Sequence, residues 1–355
     1  MSGMESHDPS PTLFPIFVRE GRSRIKYKSG FIDDSGRVVI PPIYDHAHPF
    51  RGGRAAVRLG ELWGAIDESG DLAIPPRFSG PLVFTEGLAQ FTLPGDRRGV
   101  VDLNGDVVIP ARYRFVSHFS NGIACVRSGE LYGFIDRLGR EVIPPFFEDA
   151  RAFSEGLAAV KLGGKWGYIN PDGSSAISPQ FICEGGIAGF FRQGLARVAK
   201  DGRWGHINRD AKFVVEPRFE MALEFSEGMA EVRMGKRHGF VDMSGGLVID
   251  TVYIHVGPFS EGLAKVNVGT GKAHNSIAEA CEEGFIDKSG DFLIPPRFFS
   301  AGRFQLGRCL VTTERSIGYI DRSGNFIWKG NWVEVLDLDP HHLLPPEILE
   351  GGRSQ

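Results

Sequence analysis

Acidic residues recur at two fixed places in this 355-residue chain, and repeated carboxylates are the side chains that hold cations or cleave glycosidic bonds. Asp67, Asp136, Asp242 and Asp287 each open a four-residue segment that ends in glycine. The stretches DESGD and DKSGD resemble calcium loops, but they lack the ligand spacing and closing Glu of an EF-hand. A short Asp side chain that caps the N–H groups of its own turn is the simpler reading. Glu86, Glu155, Glu227 and Glu261 sit in a Phe-Ser/Thr-Glu-Gly motif. They are either a ring of carboxylates along a shared channel or exposed residues of a tight turn, and the pattern favours the turn. Glycoside hydrolysis needs two acids across one bond, whereas these acids come once per repeat.

Other chemistry is weaker. His46 and His255 share one offset, four before Phe50 and Phe259, and His118 precedes Phe119; none has the spacing of helical metal ligands. Asp337, Asp339, His341 and His342 form a mixed cluster near the C-terminus without a recognisable ligand pattern. GGKWG at Gly163–Gly167 lies between two strand-like runs, which is not the context of a phosphate loop. Trp63, Trp166 and Trp204 would stack sugars if exposed, but their periodic placement favours packing. Cys125, Cys183, Cys281 and Cys309 have no CxxC spacing. The chain therefore reads as non-catalytic, with no cofactor and no metal.

These residues belong to a repeat. A glycine recurs at Gly30, Gly64, Gly99, Gly133, Gly167, Gly205, Gly239, Gly284 and Gly318, with steps of 34, 35, 34, 34, 38, 34, 45 and 34. A fixed period of this size marks a solenoid, propeller or array. Each period holds three strand-like runs: Gly-Leu-Ala-x-Val, aromatic-Gly-aromatic-Ile-Asp/Asn, and an aliphatic run closing on Pro-Pro. Gly163-Gly164 and Asp201-Gly202 suit hairpin turns. Proline has no N–H for a ladder, so pairing is expected to stop at Pro41-Pro42 and its equivalents. Two aromatics per loop imply that loops pack between neighbours. The central glycine is expected to let the next sheet approach closely.

The run FSEGLAAVKLGGKWGYINPDGSSAISP, Phe153–Pro179, and its copies at Gln193–Pro217 and Phe225–Val248, resemble the bacterial WG repeat, also written KWG. The resemblance covers about Gly30–Trp328. It implies an all-β repeat protein and carries over no catalytic residue. Arg98, Tyr132, His238, Glu283 and Ile317 replace the name-giving Trp, which is expected to cost inter-repeat packing.

The sequence thus predicts an all-β array of eight to nine three-stranded antiparallel units. A β-propeller-like toroid is the first choice and an open β-solenoid or superhelical array the alternative. Residues 1–12 read as a disordered N-terminus, 13–330 as one array and 331–355 as a C-terminal tail that packs a strand or short helix against the array end. Leu13–Lys28 reads as a decayed first unit. Extra residues fall near Ile182–Phe191 and at Gly269–Glu283, whose Ile277–Glu283 part could form one or two helical turns. Lys272, His274, Asn275 and Ile277 in that second insertion are the candidate partner contacts.

A net charge of −4, without a basic run, argues against a nucleic-acid partner. No membrane span or leader pattern is present, and unpatterned cysteines fit a reducing, cytoplasmic compartment. The expected function is a scaffold for an unidentified protein or peptide, with a carbohydrate-binding module using the repeat aromatics as the alternative.

Overall fold

In a computed structural model, residues 12–20, 26–183, 186–269, 281–314 and 316–331 are described. Strands and turns account for the regular structure, and no helix occurs among these residues. There are nine separate antiparallel sheets, seven of four strands and two of three. We number the repeats one to nine in chain order. The three-stranded meander is present in every sheet. In seven sheets a two-residue strand, such as His46–Ala47 or Asp149–Ala150, is added beside the first long strand. The result is a blade of the kind from which β-propellers are built. The divergent start of the chain still pairs: Phe14–Glu20 runs antiparallel to Lys26–Ile32.

The chain forms two compact units, residues 1–111 and 112–355. The first holds repeats one and two and most of three. Its core gathers Phe31, Ile40, Tyr44 and Val57, and further along Trp63, Ile74, Phe78 and Phe91. The second holds the remaining repeats. Its largest apolar cluster runs from Leu157 through Trp166, Tyr168, Phe191 and Trp204 to Val241.

Repeat five shows why these residues make a blade. Ala158–Leu162 pairs with Lys165–Ile169 through a turn in which Gly163 and Gly164 both have positive φ, 59° and 74°. That is the hairpin geometry whose twist matches the strands. Lys165–Ile169 then pairs with Ser175–Phe181, with a register shift around Gly167. A Cβ on Gly167 would lie 2.7 Å from Pro179 N. The periodic glycine is therefore needed by the third strand of its own sheet at the bulge, and not by the next sheet as the sequence suggested. The prolines differ from expectation too. The third strands run through them, as in Val38–Tyr44 and Glu141–Phe147. This strand is an edge of its sheet, where a missing N–H removes no ladder bond and blocks pairing with another chain.

Loop aromatics pack as the sequence indicated. Phe153 lies 5.0 Å from Phe134 of the preceding repeat, Phe259 4.9 Å from Phe240 and Phe304 4.9 Å from Phe285 (ring centroids). Such tilted and edge-on pairs add about 0.5–1.5 kcal/mol each beyond their buried area. The helical turns suggested for Ile277–Glu283 are excluded at its end: Cys281–Glu283 is strand, paired with Asn267–Gly269.

Candidate functional site

The two periodic acids have different jobs. Asp67 Oδ1 accepts the N–H groups of Ser69 and Asp71 (3.1 and 3.0 Å) and the Ser69 hydroxyl at 2.6 Å. Asp242 and Asp287 repeat this pattern with Ser244 and Ser289. Asp136 accepts from Leu138 and Arg140 N. The serine hydroxyl holds the carboxyls of Asp67, Asp242 and Asp287 below their ordinary range. In Asp33 the same bond, from Ser35, lowers the value to about 2. These acids are turn caps.

The Ser-Glu-Gly acids do more than occupy a turn. Glu155, Glu227 and Glu261 have positive φ (51°, 52° and 55°), which turns each side chain toward the following repeat. Glu155 accepts the N–H groups of Gln193 and Gly194 at 2.6 and 2.9 Å. Glu227 accepts those of Glu261 and Gly262 at 2.6 and 2.8 Å. Glu261 accepts Gly307 N at 2.8 Å, and Gln193 stands in for Glu by accepting Gly228 N at 2.7 Å. The neighbouring serines donate forward as well: Ser154 to Phe191 O, Ser226 to Phe259 O and Ser260 to Phe304 O. A basic residue of the following repeat faces two of the carboxylates, Arg209 at 3.6 Å from Glu155 and Lys288 at 3.8 Å from Glu227. Each motif is a staple between repeats. A second staple uses arginine: Arg77, Arg112, Arg218 and Arg297 donate to Gly105 O, Gly139 O, Gly245 O and Gly324 O.

Beside this periodic set, repeats six to eight carry buried or half-buried ionisable pairs that sequence reading missed. Arg197 Nε meets Glu224 Oε1 at 3.0 Å, donates to Ala222 O and lies over the Trp204 ring. His238 Nδ1 meets Glu231 Oε1 at 2.7 Å, with the His255 ring 5.4 Å away. Lys265 Nζ lies 3.4 Å from Glu283 Oε1, and both bind Ala301, Lys265 at its carbonyl and Glu283 at its N–H. His238 and Glu283 fill the Trp slot. At Glu283 the packing expected to be lost is replaced by a bond from Ala301 N of the next repeat, whereas His238 bonds Glu231 of its own repeat and packs on the His255 ring of the next. The available signal was the coincidence of opposite charges, Glu231 with His238 and Lys265 with Glu283, in slots that hold Ala159 and Trp166 in repeat five.

His206 occupies the slot of Tyr168. Tyr168 donates from its hydroxyl to Gly189 O at 2.9 Å, and His206 Nε2 lies 2.8 Å from Leu223 O. His206 is fully buried, and desolvation pushes its pKa down to about 4. Trp63, Trp166 and Trp204 are 8, 2 and 9% exposed, so their faces are not open to sugars. His46 packs on Phe17 and Trp63. Cys125, Cys183 and Cys309 are buried thiols. Among the described residues, no group of three or more His, Cys, Asp and Glu is placed to hold a metal ion. Lys272, His274, Asn275 and Ile277, and the cluster Asp337, Asp339, His341 and His342, lie outside the described residues.

These features define a class: an all-β repeat protein of small blades fastened by conserved-geometry staples. The WG containing repeat matches at residues 30–63, 63–93, 99–132, 132–166, 166–204, 204–237, 239–272 and 284–313, and the chain belongs to that family. No curated protein matches it. Among solved structures, the chain is similar to the computationally designed Ika8 protein, with 10% identity over 80% of this chain and 94% of that one and a TM-score of 0.48. It is also similar to BamB from Moraxella catarrhalis, with 9% identity over 79% and 94% and a TM-score of 0.43. A eukaryotic initiation factor gives 12% identity over 76% and 82%, with a TM-score of 0.49.

Proposed function

We propose that the chain is a non-catalytic scaffold that binds a protein or peptide. One contrast carries this reading. Glu155, Glu227, Glu261, Arg197 and Glu283 are engaged between repeats and Glu231 with His238 inside one, while apolar side chains stay exposed on the third-strand edges. Val38, Leu72, Val107, Val248 and Leu293 are 40–60% open to solvent, and apolar surface of this kind serves contacts better than chemistry. The carbohydrate reading loses its stacking faces with the three buried tryptophans.

The test is affinity purification of the full chain after mild crosslinking, beside a variant in which residues 271–279 are replaced by a short Asn-Gly turn. That replacement spares the strand at Cys281–Glu283. Specific partners on the intact chain support the scaffold, and their loss from the variant assigns the contact to the second insertion. An intact chain that retains no partner, or that turns over a substrate, overturns the reading.

A further inference from the structure

The hairpin tips joining the first and second long strands differ in charge along the chain. The tips of repeats two, four and nine each carry an acid: Glu61, Glu130 and Glu314. Those of repeats five, six and seven carry Lys165, then Lys200 and Arg203, then Lys236 and Arg237, all exposed, against Asp201 and the Glu148 carboxylate that accepts Gly164 N at 3.0 Å. Glu130 is neutralised by Arg127 and Arg114. On the basic tips, Arg203 meets Glu220 at 3.5 Å, and among the described residues no carboxylate pairs with Lys165, Lys200, Lys236 or Arg237.

The three tips belong to consecutive repeats that are bonded to one another. Arg203 of repeat six reaches Glu220, whose N–H donates to Arg233 O in repeat seven. Repeats five and six are tied by Tyr168 to Gly189 O, and Gly189 N donates to Arg197 O. Leu162 and Met234, 37 and 47% exposed, stand on the same tips. A chain of net charge −4 thus presents, on three consecutive repeats, five cations against the carboxylates of Glu148, Asp201 and Glu220, with apolar side chains beside them. No basic run announced them, because the cations come from three separate repeats.

We propose that the tips of repeats five to seven are a docking surface for an acidic segment of a partner protein that also carries apolar side chains. The proposal rests on the scaffold reading and names the chemistry of its partner. Complementary charge speeds encounter and sets specificity, and Leu162 and Met234 give apolar residues of such a segment a contact that a phosphate backbone would not use.

The experiment measures binding of a fluorescent synthetic peptide of alternating Glu and Leu to the full chain. A Gln/Leu peptide, single-stranded DNA and phosphatidylserine vesicles are the comparison probes. The variant K165E/K200E/K236E reverses exposed charges without touching the core, and K212E, on a different turn, controls for net charge. Expected is a loss of affinity of at least about tenfold in the triple variant, little change in K212E, and weakening with salt. Equal affinity of the triple variant, equal binding of the Gln/Leu peptide, or preference for DNA or vesicles overturns the proposal. If the triple variant keeps the crosslinked native partners, the docking site falls and the scaffold stands. If the intact chain has none, both fall.

Discussion

The Glu227 carboxylate grips the backbone N–H groups of Glu261 and Gly262, one residue pair in the next repeat, at 2.6 and 2.8 Å. The side chain that holds this pair belongs to the same motif as the turn that it holds. Glu261 donates its N–H back to Glu227 and accepts the Gly307 N–H at its own carboxylate.

Glu227→Ala should therefore cost about 1–2 kcal/mol, the range of a charge-assisted hydrogen bond reduced by its part exposure. Glu155→Ala should cost a similar amount. The two losses should add, since each staple lies at a different junction. Urea midpoints of both single variants and the double variant check this.

Gly167→Ala should be far worse than Gly163→Ala. At Gly167 a Cβ meets the backbone of Ile177 and Pro179, which cannot move aside; a loss of more than about 3 kcal/mol or failure to fold is expected. At Gly163 nothing lies within 4 Å and φ is 59°, so the cost is only the left-handed backbone, about 1 kcal/mol. Thermal melts of the two variants separate these cases.

His238→Trp restores the family residue but leaves the Glu231 carboxylate buried without its partner. A cost of about 3 kcal/mol is expected. Adding Glu231→Ala, which recreates the Ala159 and Trp166 combination of repeat five, should recover most of it. A double variant no better than the single one would show that the pair is not coupled.

Stability should fall on mild acidification because of His206. Its folded pKa, about 4, lies below the ordinary 6.5, so between these values the unfolded chain binds the proton and the folded chain does not. The loss begins as pH drops below 6.5 and levels off near 4, reaching about 2 kcal/mol at pH 5. His206→Tyr, copying Tyr168, should flatten the profile. Urea unfolding at pH 7 and pH 5 reads both.

What the sequence disclosed was local. The first two strands of each repeat, the hairpin at Gly163-Gly164 and the Asp67 cap are set by residues a few positions apart, and they are as the pattern implied. The partners of Glu155 and Glu227 lie 34 to 39 residues away, so a repeating Glu showed that a role existed without showing which atoms it serves. Gly167 was assigned to the wrong neighbour because periodicity cannot distinguish a sheet's own third strand from the next sheet. The basic tips were missed for a related reason: Lys165, Lys200 and Lys236 are scattered in sequence and share the tips of consecutive repeats only in the folded chain.

From repeat five to repeat nine the staples all point forward along the chain, each from one Glu or Gln to the equivalent turn of the next repeat. A duplicated copy inserted at such a joint would find matching fittings on both flanks. Gene-level growth or shrinkage by whole units thus needs no redesign of the neighbours, and spacings of 34 can accumulate while single slots, such as those of His206 and Glu283, drift to new chemistry.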